Sequence, residues 1–298
     1  MLRRLSLLFI CCGFISTASA DSSNAPTPLS PLAVKYQELK NGLAKSIFGE
    51  PILLNSETGD NYVSGEVYAL LDTPFPELDE MLSQPSQWCE LAILHQNIKA
   101  CTYDKNQLQF YVGRKHYQEP SDAYPIQYQF DKTSSSNHYL NIKLTAPSGP
   151  FGTSNYLTSI EAVPIDEQHS FIHFQYRYQF GFLADAAMRA YLATLGRKKV
   201  GFTVIGTYNN GEHIYIKGLQ GVIERNVMRY IFAIQSVLEA RKSTEEFRQT
   251  AQLVRWYAHI SEHPKQLVGL TRQEYLDNKK REIKNQKKLQ ASGGLLDE

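Results

Sequence analysis

Six consecutive segments of the chain alternate apolar and polar residues with a period of two. They lie near residues 98–103, 107–114, 125–132, 138–145, 154–163 and 169–180. Such alternation, separated by polar turns, predicts an antiparallel sheet with one covered face and one face in water. The chain also contains 18 tyrosines and 14 phenylalanines, an excess of residues that favour strands and bury large apolar surfaces.

Helical patterns stand before and after this sheet. Residues 31–48 form an amphipathic pattern that begins at Ser30, and a strand is expected over 62–71. Residues 75–95 predict two short helices divided at Pro85. The remaining predicted elements are a helix over 182–195, a hairpin of strands 200–205 and 212–217, a long helix from Leu219 onward, and helices that start at the capping boxes Ser243–Glu246 and Thr271–Glu274.

The first twenty residues have the pattern of a secretory signal peptide. Arg3 and Arg4 precede the apolar stretch Leu5–Ile15, and residues 18–20 (Ala-Ser-Ala) are small enough for signal peptidase. Eleven apolar residues are too few to span a bilayer as a helix, although an uncleaved anchor is the alternative. We therefore expect cleavage before Asp21 and a periplasmic mature protein.

Loss of that segment would leave two cysteines, Cys89 and Cys101. In an oxidising compartment an isolated pair is most simply a disulfide. A redox-active pair is usually spaced C-x-x-C, and a zinc site needs more ligands. The bridge would tie the end of a helix to the strand that follows it, and closing a loop of about a dozen residues contributes roughly 2–3 kcal/mol.

The order of these elements resembles that of a known superfamily. A strand and helix pair (SGEVYALLDTPFPELDEMLSQPSQWCELAILH) precede the sheet, and GRKKVGFTVIGTYNNGEHIYIKGLQGVIERNVMRYIFAI leads into the long helix. The pattern is similar to the START-like (Bet v1-like) superfamily, and in particular to secreted bacterial members of unsettled function. The resemblance covers about residues 50–242. It implies an α+β, helix-grip fold, in which a curved antiparallel sheet wraps around a long C-terminal helix. The helix at 182–195 and the extension past Ser243 depart from a minimal member.

Together, the local patterns and the resemblance divide the chain into five parts. They are a signal peptide (1–20), a linker (21–30), an N-terminal helix (31–49), the START-like helix-grip domain (50–242) and a C-terminal helical extension with a basic tail (243–298). The tail is so polar that its helix is expected to lie on solvent. Attraction to anionic membrane headgroups is the alternative, through Lys279, Lys280, Arg281, Lys284, Lys287 and Lys288.

In a helix-grip fold the concave sheet face and the long helix enclose a space. Tyrosines would give that space apolar walls with a few hydroxyl groups. The residues predicted to bind a ligand there are Leu108, Phe110, Tyr128, Phe174, Tyr176, Tyr178, Arg225, Val227 and Tyr230. An interior that these side chains fill completely is the alternative.

Arg225 and Arg229 stand near the beginning of the long helix, where the helix dipole disfavours positive charge. Arginines placed against that preference indicate a fixed partner. The partner is either a carboxylate, such as that of Glu66, or the polar head of a ligand.

Motifs for other chemistry are not found in the sequence. There is no nucleophile elbow, phosphate-binding loop, dinucleotide fingerprint or H-E-x-x-H motif. His169 and His173 would lie too far apart along a strand for one metal, and Pro264 ends the helical turn that carries His259 and His263. We therefore expect no metal and no cofactor. A net charge of +1 provides no general attraction for nucleic acid, so no nucleic-acid partner is expected.

These expectations combine into a functional hypothesis. The sequence predicts a periplasmic protein that binds or transfers a lipid or another apolar ligand between the sheet and the C-terminal helix. A cyclase- or hydrolase-like enzyme of the same superfamily is one alternative. A structural envelope protein with a filled core is the other.

Overall fold

The computed structural model describes residues 30–181 and 199–293. The predicted signal peptide, all of the predicted linker except Ser30, and the predicted helix at 182–195 lie outside these ranges. The main sheet consists of β1 (Ile52–Thr58), β2 (Tyr62–Leu71), β3 (Ile98–Asp104), β4 (Gln107–Val112), β5 (Tyr124–Ser136), β6 (Tyr139–Ser148), β7 (Thr153–Pro164) and β8 (Ser170–Phe180). These eight strands are antiparallel, in the order β1-β2-β8-β7-β6-β5-β4-β3. A separate hairpin contains β9 (Val204–Thr207) and β10 (His213–Tyr215).

Six helices are described. They are α1 (Pro31–Leu43), α2 (Phe75–Leu82), α3 (Pro85–Ala92), α4 (Gly218–Ala240), α5 (Glu245–Ser261) and α6 (Arg272–Ala291). The six predicted strands are confirmed as β3 to β8, and the helix pair divides at Pro85 as expected. The hairpin and the long helix also form.

The structure differs from the prediction in several places, and the strands of the hairpin are shorter than expected. Helix α1 ends at Leu43, and turns occupy the residues up to Gly49, whose φ of 74° is left-handed. Strand β1 is missing from the prediction because its sequence, ILLNSET, starts with consecutive apolar residues and then becomes polar, as suits a half-exposed edge strand. Helix α5 starts after Thr244, so the predicted Ser243 capping box is wrong, whereas the Thr271 box is present.

Helix α4 lies across the inner face of the sheet. It packs against β1, β2 and β8, with α3 beside it. Gly65 of β2 allows the close approach, because a β-carbon there would lie 3.1 Å from side-chain carbons of both Ile223 and Val227. The expected α+β, helix-grip fold is thus present, with one sheet wrapped around one long helix.

Helix α1 covers part of the opposite, outer face. Its Ser30 N-cap accepts the Ala33 backbone N–H at 3.2 Å. Tyr36 packs its ring 5.1 Å from the ring of Phe171, a fully buried outward residue of β8. The apolar stripe of α1 therefore buries the outer face beside β7 and β8.

Helix α6 runs along β3, which is one edge of the sheet. Gln286 accepts the Cys101 backbone N–H at 2.7 Å, and Gln290 both accepts from and donates to the Tyr103 backbone at 2.9 Å. An uncovered edge strand can pair with another chain. The glutamines, one helical turn apart, satisfy three backbone polar groups of this edge.

The prediction that the basic tail lies on solvent is wrong for Lys279. Its side chain is buried, as are those of Lys99 on β3 and Glu282 on α6. Glu282 carboxylate oxygens lie 2.7 Å from each lysine Nζ. Sequence alone does not show this placement, because a buried carboxylate shared with a distant strand leaves the local pattern of α6 polar. Lys279 therefore cannot contact a membrane in this structure.

The disulfide is confirmed between Cys89 of α3 and Cys101 of β3. The two Cα atoms lie 5.0 Å apart, and the bridge joins the helix pair to the sheet edge. Across residues 30–181 and 199–293, no helix is both long enough and apolar enough to cross a bilayer.

Candidate functional site

A cluster of five tyrosines, which we call the tyrosine cluster, lies between the sheet and α4. It consists of Tyr128 from β5, Tyr156 from β7, Tyr176 and Tyr178 from β8, and Tyr230 from α4. Neighbouring ring centroids are 5.3 to 6.3 Å apart, among them Tyr156 to Tyr178 and Tyr176 to Tyr230. The rings thus form a continuous aromatic surface with several hydroxyl groups.

The hydroxyl groups of this cluster are removed from bulk water. Burial raises the pKa of both Tyr128 and Tyr176 well above the ordinary value, and it also raises the pKa of Tyr230. Tyr176 and Tyr230 nevertheless keep accessible surface and count as only half-buried. Of the five residues of the tyrosine cluster, Tyr176 and Tyr230 keep the largest exposed fractions.

Most of the predicted ligand-binding residues surround this cluster. Phe110 packs 5.0 Å from Tyr128, and Phe174 packs 5.9 Å from Tyr230. Leu108 and Tyr178 are buried on the same inner face of the sheet. The period-two alternation therefore brings residues of β4, β5 and β8 together as expected.

Tyr156 belongs to the cluster although the sequence did not single it out. The register of β7 shifts between Ser154 and Leu157, and Asn155 has a φ of 50°. This irregularity hides the alternation at the start of the strand. The signal begins at Tyr156, from which Thr158 and the following even-numbered residues face inward.

Two predicted residues lie elsewhere. Val227 is fully buried in the contact between α4 and Gly65, within the helix–sheet packing. Arg225 donates to the Val200 backbone carbonyl at 3.1 Å, near the beginning of α4. Glu66, the suggested carboxylate partner of Arg225, lies on the outer face of β2.

Glu224 anchors the segment before the hairpin. Its buried carboxylate accepts hydrogen bonds from the hydroxyl groups of Ser56 at 2.7 Å and Thr203 at 2.6 Å. It also accepts the backbone N–H groups of Phe202 and Thr203. Four donors satisfy this carboxylate, so its role is to fix β1 and the 202–203 segment to α4.

His95, in the loop between α3 and β3, stands beside the tyrosine cluster. Its ring stacks on Tyr230 at 5.4 Å, with 23° between the ring planes. Burial lowers the pKa of His95 well below the ordinary value, and the charges of Arg229 and Lys279 act in the same direction. Its ring is therefore neutral at physiological pH. The sequence offered no signal for His95, because its partner Tyr230 is distant in the chain.

Two other histidines each lie between two carboxylates. His173 on the outer face contacts Glu66 at 2.8 Å and Glu161 at 3.4 Å. His259 contacts Glu239 at 3.1 Å and Glu50 at 3.6 Å. These groups are ion pairs, because hydrogen bonds to the carboxylates outweigh burial and raise the pKa of both histidines to about 9. In the described ranges, no set of three His, Cys, Asp or Glu side chains could hold a metal ion.

Two hollows on the described surface have a substantial volume. One, of about 340 Å³, lies on the outer face by β5 and β6, next to Asp131 and Lys132. The other, of about 430 Å³, lies between Phe48, Phe202 and His263. Neither is lined by a member of the tyrosine cluster.

Comparisons with known proteins give structural neighbours only. No protein-family model matches the chain, and no curated protein matches it in sequence. The Zhui aromatase/cyclase from a Streptomyces species is similar over 61% of this chain and 97% of its own, at 10% identity and a TM-score of 0.37. A START superfamily protein from Mycobacterium smegmatis covers 46% of this chain and 96% of its own, at 13% identity and a TM-score of 0.30.

A third neighbour is norcoclaurine synthase from Thalictrum flavum, with 47% of this chain and 91% of its own covered, 10% identity and a TM-score of 0.33. Of these three neighbours, the protein from Mycobacterium smegmatis is described as a member of the START superfamily. TM-scores of this size carry no argument by themselves. The helix-grip assignment therefore depends on the sheet order and on the position of α4.

Proposed function

We propose that the protein binds a lipid or a similar apolar molecule between the sheet and α4, and transfers it within the periplasm after export. The observation that carries this proposal is the tyrosine cluster on the inner face of the sheet, in which Tyr176 and Tyr230 are half-buried and burial raises the pKa of both hydroxyl groups. Interior sites for apolar ligands are lined by aromatic side chains with a few polar groups that orient the ligand. The tyrosine cluster has this composition.

The energetics favour a ligand with an acyl chain. Burial of one methylene group from water contributes about 0.8 kcal/mol, so an apolar interior can offset what an acyl chain loses when it leaves the apolar core of a membrane. The tyrosine hydroxyl groups would hold polar atoms of the same ligand.

Substitution of one inward residue tests the proposal. Thr158 is buried on β7, opposite Leu144 on one side and Tyr176 on the other. Thr158→Trp places a large ring in the proposed space, whereas Thr145→Trp, on the exposed face of β6, is the matched control. Val227→Trp is a poorer choice, because Val227 fills the contact with Gly65 and its replacement would separate α4 from the sheet.

The measurement is native mass spectrometry after incubation with lipid vesicles. Wild type and Thr145→Trp should carry lipid, and Thr158→Trp should fold but carry none. Absence of lipid from wild type would show that the interior is a filled core and would favour the structural alternative. A chemically altered ligand would favour the cyclase- or hydrolase-like alternative.

The basic face of α6 supports contact with an anionic membrane. Lys280 and Lys284 are exposed one turn apart, and Lys287 and Lys288 continue the same side of the helix. Each basic residue near an anionic surface contributes about 1 kcal/mol. The double variant Lys284→Glu, Lys287→Glu should sediment less with phosphatidylglycerol vesicles than wild type does. Its sedimentation with phosphatidylcholine vesicles should equal that of wild type. Equal sedimentation of variant and wild type with phosphatidylglycerol vesicles would contradict this contact.

A further inference from the structure

His95 Nε2 has no hydrogen-bond partner among the residues that the structure describes. Its Nδ1 accepts the Asn97 backbone N–H at 3.1 Å, so Nδ1 carries no hydrogen. Because the ring is neutral, its one hydrogen is on Nε2. Within residues 30–181 and 199–293, Nε2 has no hydrogen-bond partner, although it is buried. Asn226 approaches the ring, but without acceptable hydrogen-bond geometry to Nε2.

A buried donor without an acceptor costs about 1–3 kcal/mol, and such groups are uncommon in native proteins. His95 is 5% exposed, and one of its faces is covered by Tyr230. An acceptor oxygen that reaches Nε2 therefore has to enter from the interior, next to the ring of Tyr230. This is the same ring that borders the proposed space.

The charges around His95 favour an acceptor with negative charge. Arg229, Lys279 and Lys99 all act on the ring as cations. Lys99 donates to the carbonyls of Gln96 and His116 and to Glu282, so its three N–H bonds are in use. Lys279 donates to the backbone carbonyls of His95 and Ile98, and its ammonium group lies 2.7 Å from Glu282 Oε2. The two lysines thus direct these contacts to other groups and contribute positive potential to the surroundings of His95.

A single free donor in a positive region fits a small anionic head. We propose that His95 Nε2–H binds the carboxylate of an apolar carboxylic acid, such as a long-chain fatty acid, whose chain lies along the tyrosine cluster; this inference rests on the proposed function. A phosphate head has more acceptor oxygens than His95 can satisfy, so phospholipid is the poorer ligand for this position.

Oleic acid and its methyl ester test the proposal, because they share one chain and differ in the charge of the head. Each is used to displace the fluorescent apolar probe N-phenyl-1-naphthylamine from delipidated protein. A hydrogen bond to a charged group should make wild type prefer the acid by roughly tenfold or more. His95→Phe keeps a ring against Tyr230 without the donor, so it should lose this preference and bind the ester as wild type does.

The outcomes separate this inference from the proposed function. If wild type takes up neither compound, the proposed function fails. If wild type binds both equally, or if His95→Phe keeps the preference for the acid, His95 is not the head-group donor. Should His95→Phe not fold, the ¹⁵N and ¹H shifts of His95 Nε2–H in wild type decide. They should move on titration with oleic acid but not with the ester, and unchanged shifts with bound acid would overturn the proposal.

Discussion

Glu282 is the residue whose replacement tests the packing of α6 most directly. It is fully buried, with Oε1 2.7 Å from Lys99 Nζ and Oε2 2.7 Å from Lys279 Nζ. Glu282→Gln preserves the shape of the side chain but removes its charge. The buried ammonium groups of Lys99 and Lys279 would then lose the carboxylate that they share.

Removing one partner of a buried ion pair typically costs about 3–5 kcal/mol. Because two lysines lose the same partner, we expect a loss near 5 kcal/mol in the free energy of unfolding. For a protein of this size such a loss lowers the melting temperature by roughly 10 °C or more. Urea unfolding followed by circular dichroism measures the loss, and hydrogen exchange should increase in β3. Asp277→Asn, an exposed change on the same helix, should stay within about 0.5 kcal/mol of wild type.

The unfolding free energy that Glu282→Gln loses should also depend on pH. Burial lowers the pKa of Lys279 to about 8, although Glu282 opposes this shift. A base with a folded-state pKa below its unfolded value makes the protein more stable as pH rises above the folded-state pKa. Without Glu282 the folded-state pKa decreases further, so the difference between variant and wild type should be smaller at pH 9 than at pH 7. A loss below about 1 kcal/mol, or one independent of pH, would refute the buried ion pair.

Two other substitutions test contacts that position the interior. Cys89→Ser should lower the free energy of unfolding by roughly 2–3 kcal/mol, and reduction of the wild-type Cys89–Cys101 bridge should have the same effect in a urea titration. Gly65→Val should destabilise the protein by about 1–3 kcal/mol, because the valine side chain would collide with Ile223 and Val227. Gly59→Val in the β1–β2 turn is not a suitable control, since a side chain there would collide with the ring of Tyr62. A melting temperature of Gly65→Val equal to that of wild type would contradict the close approach of α4.

The sheet and the long helix could be predicted because their signals are local. In β8, alternate residues such as Phe174 and Tyr178 are buried, and the same period marks β5 and β6. The inner face of the sheet follows directly from this period. The aromatic residues of the tyrosine cluster could therefore be predicted from the sequence. Tyr156 is the exception, because the register of β7 shifts next to it.

The interactions of α6 and His95 could not be predicted in the same way. Lys99 and Glu282 are 183 residues apart, and a lysine in a polar run has the same local pattern whether it faces water or a buried carboxylate. A weak signal exists, because Tyr275, Lys279 and Ile283 recur at four-residue steps on one face of α6. The unused donor of His95 depends on the Asn97 backbone and on Tyr230, so it becomes visible only in three dimensions.

His173 should make the stability of the protein depend on pH. Its ring lies between Glu66 and Glu161 and stacks on Tyr68 at 4.4 Å. Burial alone would lower the pKa of His173, but hydrogen bonds to Glu161 and Glu66 outweigh it and raise the pKa to about 9. Because the folded-state pKa exceeds the unfolded value of about 6.5, the stabilisation is complete below pH 6.5 and is lost as pH rises through 9.

The size of this effect follows from the shift. An increase from 6.5 to about 9 corresponds to about 3 kcal/mol, which partial exposure of the two carboxylates reduces to roughly 2 kcal/mol. We expect His173→Gln to remove this part of the decrease in unfolding free energy between pH 6.5 and pH 9, measured by urea unfolding at several pH values. His259, whose pKa is also about 9, and Lys279, which acts with the opposite sign, are common to both proteins and cancel in the comparison. If wild type and His173→Gln lose the same free energy over this interval, His173 is not held as a cation between the two glutamates.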